Sequence, residues 1–219
     1  METTELIRLV SYILNTLVIL VLSGYFFREY LIKKLRASLA WGIGFLFLGI
    51  AMANLTFMAT VEVTRPMVLI GGVFTATMIA LLYYGASLLF FREGSFFREK
   101  MAIVYFALVL IVQTTTALLA PADRIAETVR GPTLGLIGIA YLLIAILFYQ
   151  VSRRLSAEDP RRRTITLVSA AWVIIFVFNM YLAFQWGEQP TIESIGWIIG
   201  SFGWFLLLYG MTTGKTTRT

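Results

Sequence analysis

The sequence predicts an all-α fold: a polytopic membrane protein in which one domain, residues 1–219, forms a seven-transmembrane-helix bundle with its N-terminus outside and its C-terminus cytoplasmic. Three observations predict it. Of 219 residues, 59% are hydrophobic and 14% charged, with a mean hydropathy of +0.83, whereas soluble domains carry roughly a quarter charged residues. Seven stretches reach the about 20 mostly apolar residues that a helix needs to cross a hydrocarbon core of roughly 30 Å. Finally, 14 of the 18 basic residues fall in alternate connections, on one side of the predicted bundle, which the positive-inside rule assigns to the cytoplasm.

The first span covers residues 6–27 and is expected to run on as helix beyond the membrane, because Glu29 and Lys33 stand at i,i+4 in the favourable order. Its apolar run is too long for a signal-peptide core and no small-residue cleavage site follows, so it is expected to stay in the mature protein. The second, 39–60, carries a small-residue face of Gly42, Gly49 and Ala53. Asn54-Leu55-Thr56 fits the glycosylation pattern but lies inside this span and is set aside. The third, 67–91, carries Gly72, Ala76 and Ala80 and ends in Phe90-Phe91-Arg92-Glu93. The fourth, 101–120, follows the turn Gly94-Ser95 and the repeat Phe96-Phe97-Arg98-Glu99. The fifth is 133–151. The sixth, 165–186, bears one stripe of Ser169, Trp172, Phe176, Asn179, Ala183 and Trp186 at helical spacing. The seventh, 193–212, repeats that spacing in Trp197, Ser201, Trp204 and Leu208 and has a small face of Gly196, Gly200 and Gly203.

The connections predicted inside hold Arg28, Lys33, Lys34 and Arg36, then Arg92, Arg98 and Lys100, then Arg153, Arg154 and Arg161 to Arg163, and finally Lys215 and Arg218. The other side has Arg8, Arg65, Arg124 and Arg130 beside seven of the 12 acids: Glu2, Glu5, Glu62, Asp123, Glu127, Glu188 and Glu193. FFRE also ends the first span, at Phe26-Phe27-Arg28-Glu29, so its copies read as interfacial punctuation, with rings at headgroup depth and each arginine snorkelling outward. All five prolines fall in connections or at span ends, which predicts helices without proline kinks. No duplicated half is legible.

Histidine and cysteine are both absent, which removes imidazole bases, thiol nucleophiles and the usual ligands of zinc, copper and haem. No ionisable residue lies well inside a span, so a proton relay or ion-coupled pathway is not expected. Seven helices with an external N-terminus resemble the layout of microbial rhodopsins. The resemblance rests on no motif, and retinal attachment in that family needs a lysine in the seventh helix. The lysines here are Lys33, Lys34, Lys100 and Lys215, all at the basic side, and the third helix has no acidic counter-ion. Covalent retinal is therefore not expected. The NPxxY motif of rhodopsin-like receptors is missing too, as are the membrane prolines of SWEET-type sugar transporters.

Each span places a polar side chain at a similar depth: Asn15, Asn54, Thr77, Gln113, Tyr141, Asn179 and Ser201. Together they would form a polar layer lining a site for a neutral ligand, or would simply bond across helices. Trp172 and Trp204 would add an aromatic wall suited to a non-covalent lipid, quinone or carotenoid. The small-residue faces are compatible with contacts inside the bundle, with a homo-oligomer, or with a partner subunit. The loops around Lys33, Lys34, Arg36, Arg161, Arg162 and Arg163 would meet anionic lipid or an acidic protein partner; nucleic acid is not expected. Without a buried base to activate a hydroxyl, no enzymatic activity is expected. Two functional classes follow: a receptor-like sensor or accessory subunit binding an apolar or neutral small molecule, or a facilitative carrier or channel for an uncharged solute.

Overall fold

The computed structural model describes residues 3–58, 60, 61, 63–184 and 190–213. Among them are seven α-helices: α1 (Thr3–Lys33), α2 (Arg36–Met58), α3 (Arg65–Phe90), α4 (Glu99–Leu119), α5 (Ile125–Arg154), α6 (Pro160–Phe184) and α7 (Pro190–Thr213), with a 3-10 turn at Ala122–Arg124. Glu2, Glu62, Trp186, Glu188, Lys215 and Arg218 lie outside the described residues, as do the side chains of Glu5, Arg8 and Glu193.

All seven helices are long and apolar enough to cross a membrane. Their apolar residues are not confined to the core face: Leu17, Ile103, Ile111 and Phe202 are exposed on the outside of the bundle. A helix that is apolar on every side finds its low-energy environment in a large core or in hydrocarbon. Each helix packs on its neighbours in the chain, α7 closes the ring against α1, and α3 also meets α5, which leaves α4 on the margin. The glycines of the small-residue faces are used inside this ring, while Ala53 is exposed and Ala80 lines an external groove. A side chain at Gly200 or Gly203 would collide with Phe178 or Ile175 of α6, one at Gly49 would collide with Leu20 of α1, and one at Gly42 would crowd Phe27 of α1.

At the basic end, α1 does continue past its apolar run, and Lys33 Nζ lies 2.8 Å from Glu29 Oε2. Lys34, at φ 54°, stops it in the left-handed conformation while its amide still reaches the Tyr30 carbonyl. The α3–α4 connection turns at Gly94, φ 80°, a conformation that costs glycine nothing. Asp159 starts α6: its carboxylate accepts the Arg161 N–H at 2.9 Å, and Pro160 at the first helical position lacks a hydrogen that would have gone unpaired. The hydrogen bonds from the Arg161 side chain hold the Asp159 carboxyl below its ordinary pKa.

Three expectations are corrected. Helix α5 begins at Ile125, eight residues before the predicted 133, because the segment from Ile125 to Pro132 is polar in composition yet continues the helix off the 3-10 turn. Pro132 is consequently inside a helix, where it removes the amide that would serve the Thr128 carbonyl. The same extension lifts Glu127 and Arg130 from a loop onto helix. The FFRE copies are also unlike one another. Arg28 and Arg92 are exposed, but Arg98 is buried, 2.9 Å from Glu99 and 3.6 Å from Glu93, so it closes the hairpin internally and does not snorkel.

In the half of the bundle nearer the basic end, polar side chains tie one helix to the backbone of another. Ser23 donates to Gly42 O at 2.8 Å, Trp41 Nε1 to Leu82 O at 2.9 Å, Ser169 to Ala145 O at 2.9 Å and Tyr25 to Met211 O at 2.6 Å. The space between is filled by rings: Phe26 on Trp41 (centroids 4.9 Å) and Phe45 (5.5 Å), and Phe148 on Trp41 (5.7 Å) and Phe90 (5.3 Å). Gly85 makes this possible, since any side chain there would occupy the position of the Trp41 ring.

Candidate functional site

The opposite half is not filled. A cavity of about 490 Å³ opens there between the helices. Val63, Glu127 and Arg130 stand at its mouth, while Tyr141 and Trp204 lie at its floor. Tyr141 is sixteen residues into α5, about 24 Å along the helix at about 1.5 Å per residue. Below them Trp172, fully buried, packs on Tyr141 (5.2 Å) and Trp204 (6.0 Å) and backs onto Phe45 (6.4 Å), so the cavity ends where the ring-filled half begins.

Two adjacent glycines build the polar wall. A Cβ on Gly72 would sit 3.0–3.3 Å from the Gln113 side chain, and one on Gly71 would sit 2.9 Å from Asn54 Nδ2. Their bare backbone lets an amide from α4 and another from α2 lie flat on either side of α3. Gln113 Nε2 points to Val68 O at 3.4 Å; a carbonyl accepts only from the nitrogen, so the amide oxygen must face the other way. That oxygen, Oε1, is buried and without a partner.

Thr133 sits opposite on α5. In Thr16, Thr56, Thr75, Thr116 and Thr128 the hydroxyl turns back to the carbonyl four residues earlier. Thr133 lines the cavity, and its hydroxyl is buried and has no partner. Other polar groups nearby are only weakly engaged. Tyr141 donates to the Met78 thioether at 3.6 Å and Asn54 Nδ2 to that of Met58 at 3.4 Å, and sulfur is a weak acceptor. Asn179 spends an amide hydrogen on Ile175 O of its own helix.

Of the nine residues expected from sequence, the structure brings Asn54, Gln113, Tyr141, Asn179 and Trp204 to one cavity. Four lie elsewhere. Thr77 points out of the bundle and back-bonds to Val73 O, lining a shallow external groove with Glu99 and Phe106. Asn15 is fully buried away from the cavity lining; its amide nitrogen bonds Ser11 O and its Oδ1 has no partner. Ser201 back-bonds to Trp197 O, and Trp172 lies beneath the floor as packing. In their place stand Thr75, Thr133 and Trp197. Trp197, part of the seventh-span stripe, is buried edge-on against Tyr12 (4.5 Å) and Phe178 (5.0 Å) and forms a side wall. The glycine pair was the legible signal for the wall; Thr133 carried none, standing at the edge of an apolar run.

The interior is neutral, its charges confined to Glu127 and Arg130 at the mouth. Among the described residues no group of three or more His, Cys, Asp or Glu gathers as a metal would need. Comparison with protein-family models, with curated proteins and with solved structures finds no match.

Proposed function

We propose that this is a non-catalytic integral membrane protein of receptor-like type, oriented with its N-terminus outside, whose bundle binds a neutral small molecule in the cavity. One observation carries the reading: two side chains that line one cavity, Gln113 and Thr133, each hold a buried hydrogen-bonding atom, Oε1 and Oγ1, without a partner. An unmade hydrogen bond at a buried group costs about 1–3 kcal/mol, a cost that an occupant able to bond both groups would recover.

Charge asymmetry supports the orientation, because the basic connections lie at the end away from the mouth. The mouth then faces outside. A carrier is supported less well, since Tyr141, Trp172 and Trp204 close the floor and leave no continuous polar route. The accessory-subunit reading loses part of a support, because the glycines of the small-residue faces are spent within the ring. A cytoplasmic partner would dock chiefly on Arg36, Arg162 and Arg163. Lys33 is paired with Glu29, Arg161 with Asp159, and Lys34 lies over the Tyr30 ring.

Native mass spectrometry of the chain released from mild detergent tests the proposal. Wild type should carry a small-molecule adduct. Thr75→Phe, which fills the cavity from α3, should lose it while keeping its helical circular dichroism. Adduct-free wild type whose melting the plug leaves unchanged would contradict the reading.

A further inference from the structure

From the chemistry of the cavity wall we infer the class of ligand: a neutral, hydroxyl-bearing ring compound of about fifteen non-hydrogen atoms. This rests on the ligand-cavity reading above.

Size comes first. At roughly 30 Å³ for each water of liquid density, the 490 Å³ cavity has room for about sixteen such units. A whole carotenoid or long-tailed quinone is far larger than that, so the cavity would take only the ring end of such a molecule. Shape follows from the rings. Tyr12, Tyr141, Phe178, Trp197 and Trp204 all face the space, and aromatic walls favour a flat partner that stacks or meets them edge-on.

Charge is decided by what is missing from the interior. Below Glu127 and Arg130 the described lining holds only neutral side chains. An ionised group taken to that depth would lose its hydration without gaining a counter-charge. Hydrogen-bonding sense is decided by the two unpartnered atoms. Gln113 Oε1 can only accept, because its amide is held in place by Val68 O. The Thr133 hydroxyl can donate or accept. A hydroxyl on the ligand donates to Gln113 Oε1, and a ligand oxygen takes the hydrogen of Thr133. A pure hydrocarbon would fill the space and leave both groups unpaired.

Three probes on one skeleton separate these requirements: 4-propylphenol, propylbenzene and 4-propylbenzoate, titrated into the full chain in detergent and followed by tryptophan fluorescence and by thermal stabilisation. The phenol should bind at least about tenfold more tightly than propylbenzene, and the benzoate more weakly than either. Gln113→Met with Thr133→Val should bring the phenol to the affinity of propylbenzene and leave propylbenzene unchanged. Thr133→Val alone, nearly isosteric, should remove about a threefold part of the preference, which keeps the test alive if the double variant does not fold.

Equal binding of phenol and propylbenzene to wild type would overturn the ligand class and leave the cavity reading standing. A parallel loss of both probes in the variants would mean that the two groups serve the fold and not recognition. Binding of none of the three would remove the cavity reading, and this inference with it.

Discussion

The two halves of the bundle use the same kinds of residue to opposite ends. Toward the basic end, Ser23, Trp41 and Ser169 each reach across to a neighbouring helix's carbonyl, and rings fill the space between. Toward the other end, the side-chain bonds of Thr75, Asn179 and Ser201, and the one that Asn15 makes, stay on their own helices. The cross-helix bonds there include Arg65 to Ala120 O at the rim and two long ones, Gln113 to Val68 O at 3.4 Å and Tyr141 to the Met78 thioether at 3.6 Å. Gln113 and Thr133, which line the open cavity, each keep an atom unpaired. Cross-helix bonds fix helices against one another; self-satisfied and unsatisfied groups do not. The first half is a scaffold, and the second is free to hold something.

Substitutions in the two halves should therefore separate stability from binding. The largest effect is expected for Trp41→Ala, which removes a buried ring, its edge-to-face contact with Phe26 and the bond to Leu82 O. It should cost about 3–5 kcal/mol in detergent unfolding, and probe affinity should be unchanged wherever the protein is still folded. Next comes Gly72→Ala, whose methyl meets Gln113 at 3.0 Å. It should weaken 4-propylphenol about tenfold through the displaced amide and shift Tm little, the reverse of Trp41→Ala. Ser169→Ala deletes one cross-helix bond and should cost about 1 kcal/mol, again without touching binding. Smallest is Thr133→Val. In the empty protein it removes an unpaired buried hydroxyl, so Tm should stay level or rise slightly, unlike the loss that every comparable serine or threonine in the scaffold half should give.

Much of the scaffold was legible in the sequence and much of the site was not, for a reason that particular residues make plain. Depth along a helix follows from counting residues inward from a charged end, and this located seven spans, the α1 extension and the Gly94 turn, though not the starts of α5 and of α6, which begins at Pro160 and carries Arg161 to Arg163 on its first turn. Rotation about the helix axis is different. On these helices apolar residues occupy every side, so composition carries no mark of which face turns inward. Thr75 and Thr77 are two residues apart on α3, roughly 200° around the axis, and packing turned the first into the cavity and the second out. The same blindness put Ser201 and Asn15 in a layer that they do not join. Asn54 and Gln113 were found because amides in an apolar span are few, and Gly71-Gly72 explains where they rest. The start of α5 was missed because Glu127, Arg130 and Pro132 read as loop chemistry, and the buried Arg98 because its carboxylate partners, Glu93 and Glu99, come together only once the hairpin closes.

The central claim is that the cavity half opens to the outside while the scaffold half is closed. The natural absence of cysteine makes this directly measurable. Single variants Thr133→Cys and Ser169→Cys would be exposed, in whole cells, to a small membrane-impermeant methanethiosulfonate. The account predicts that Thr133→Cys is modified from outside and protected by 4-propylphenol, while Ser169→Cys stays unmodified. Modification of Ser169→Cys as fast as Thr133→Cys, or of Thr133→Cys only after the cells are opened, would contradict it.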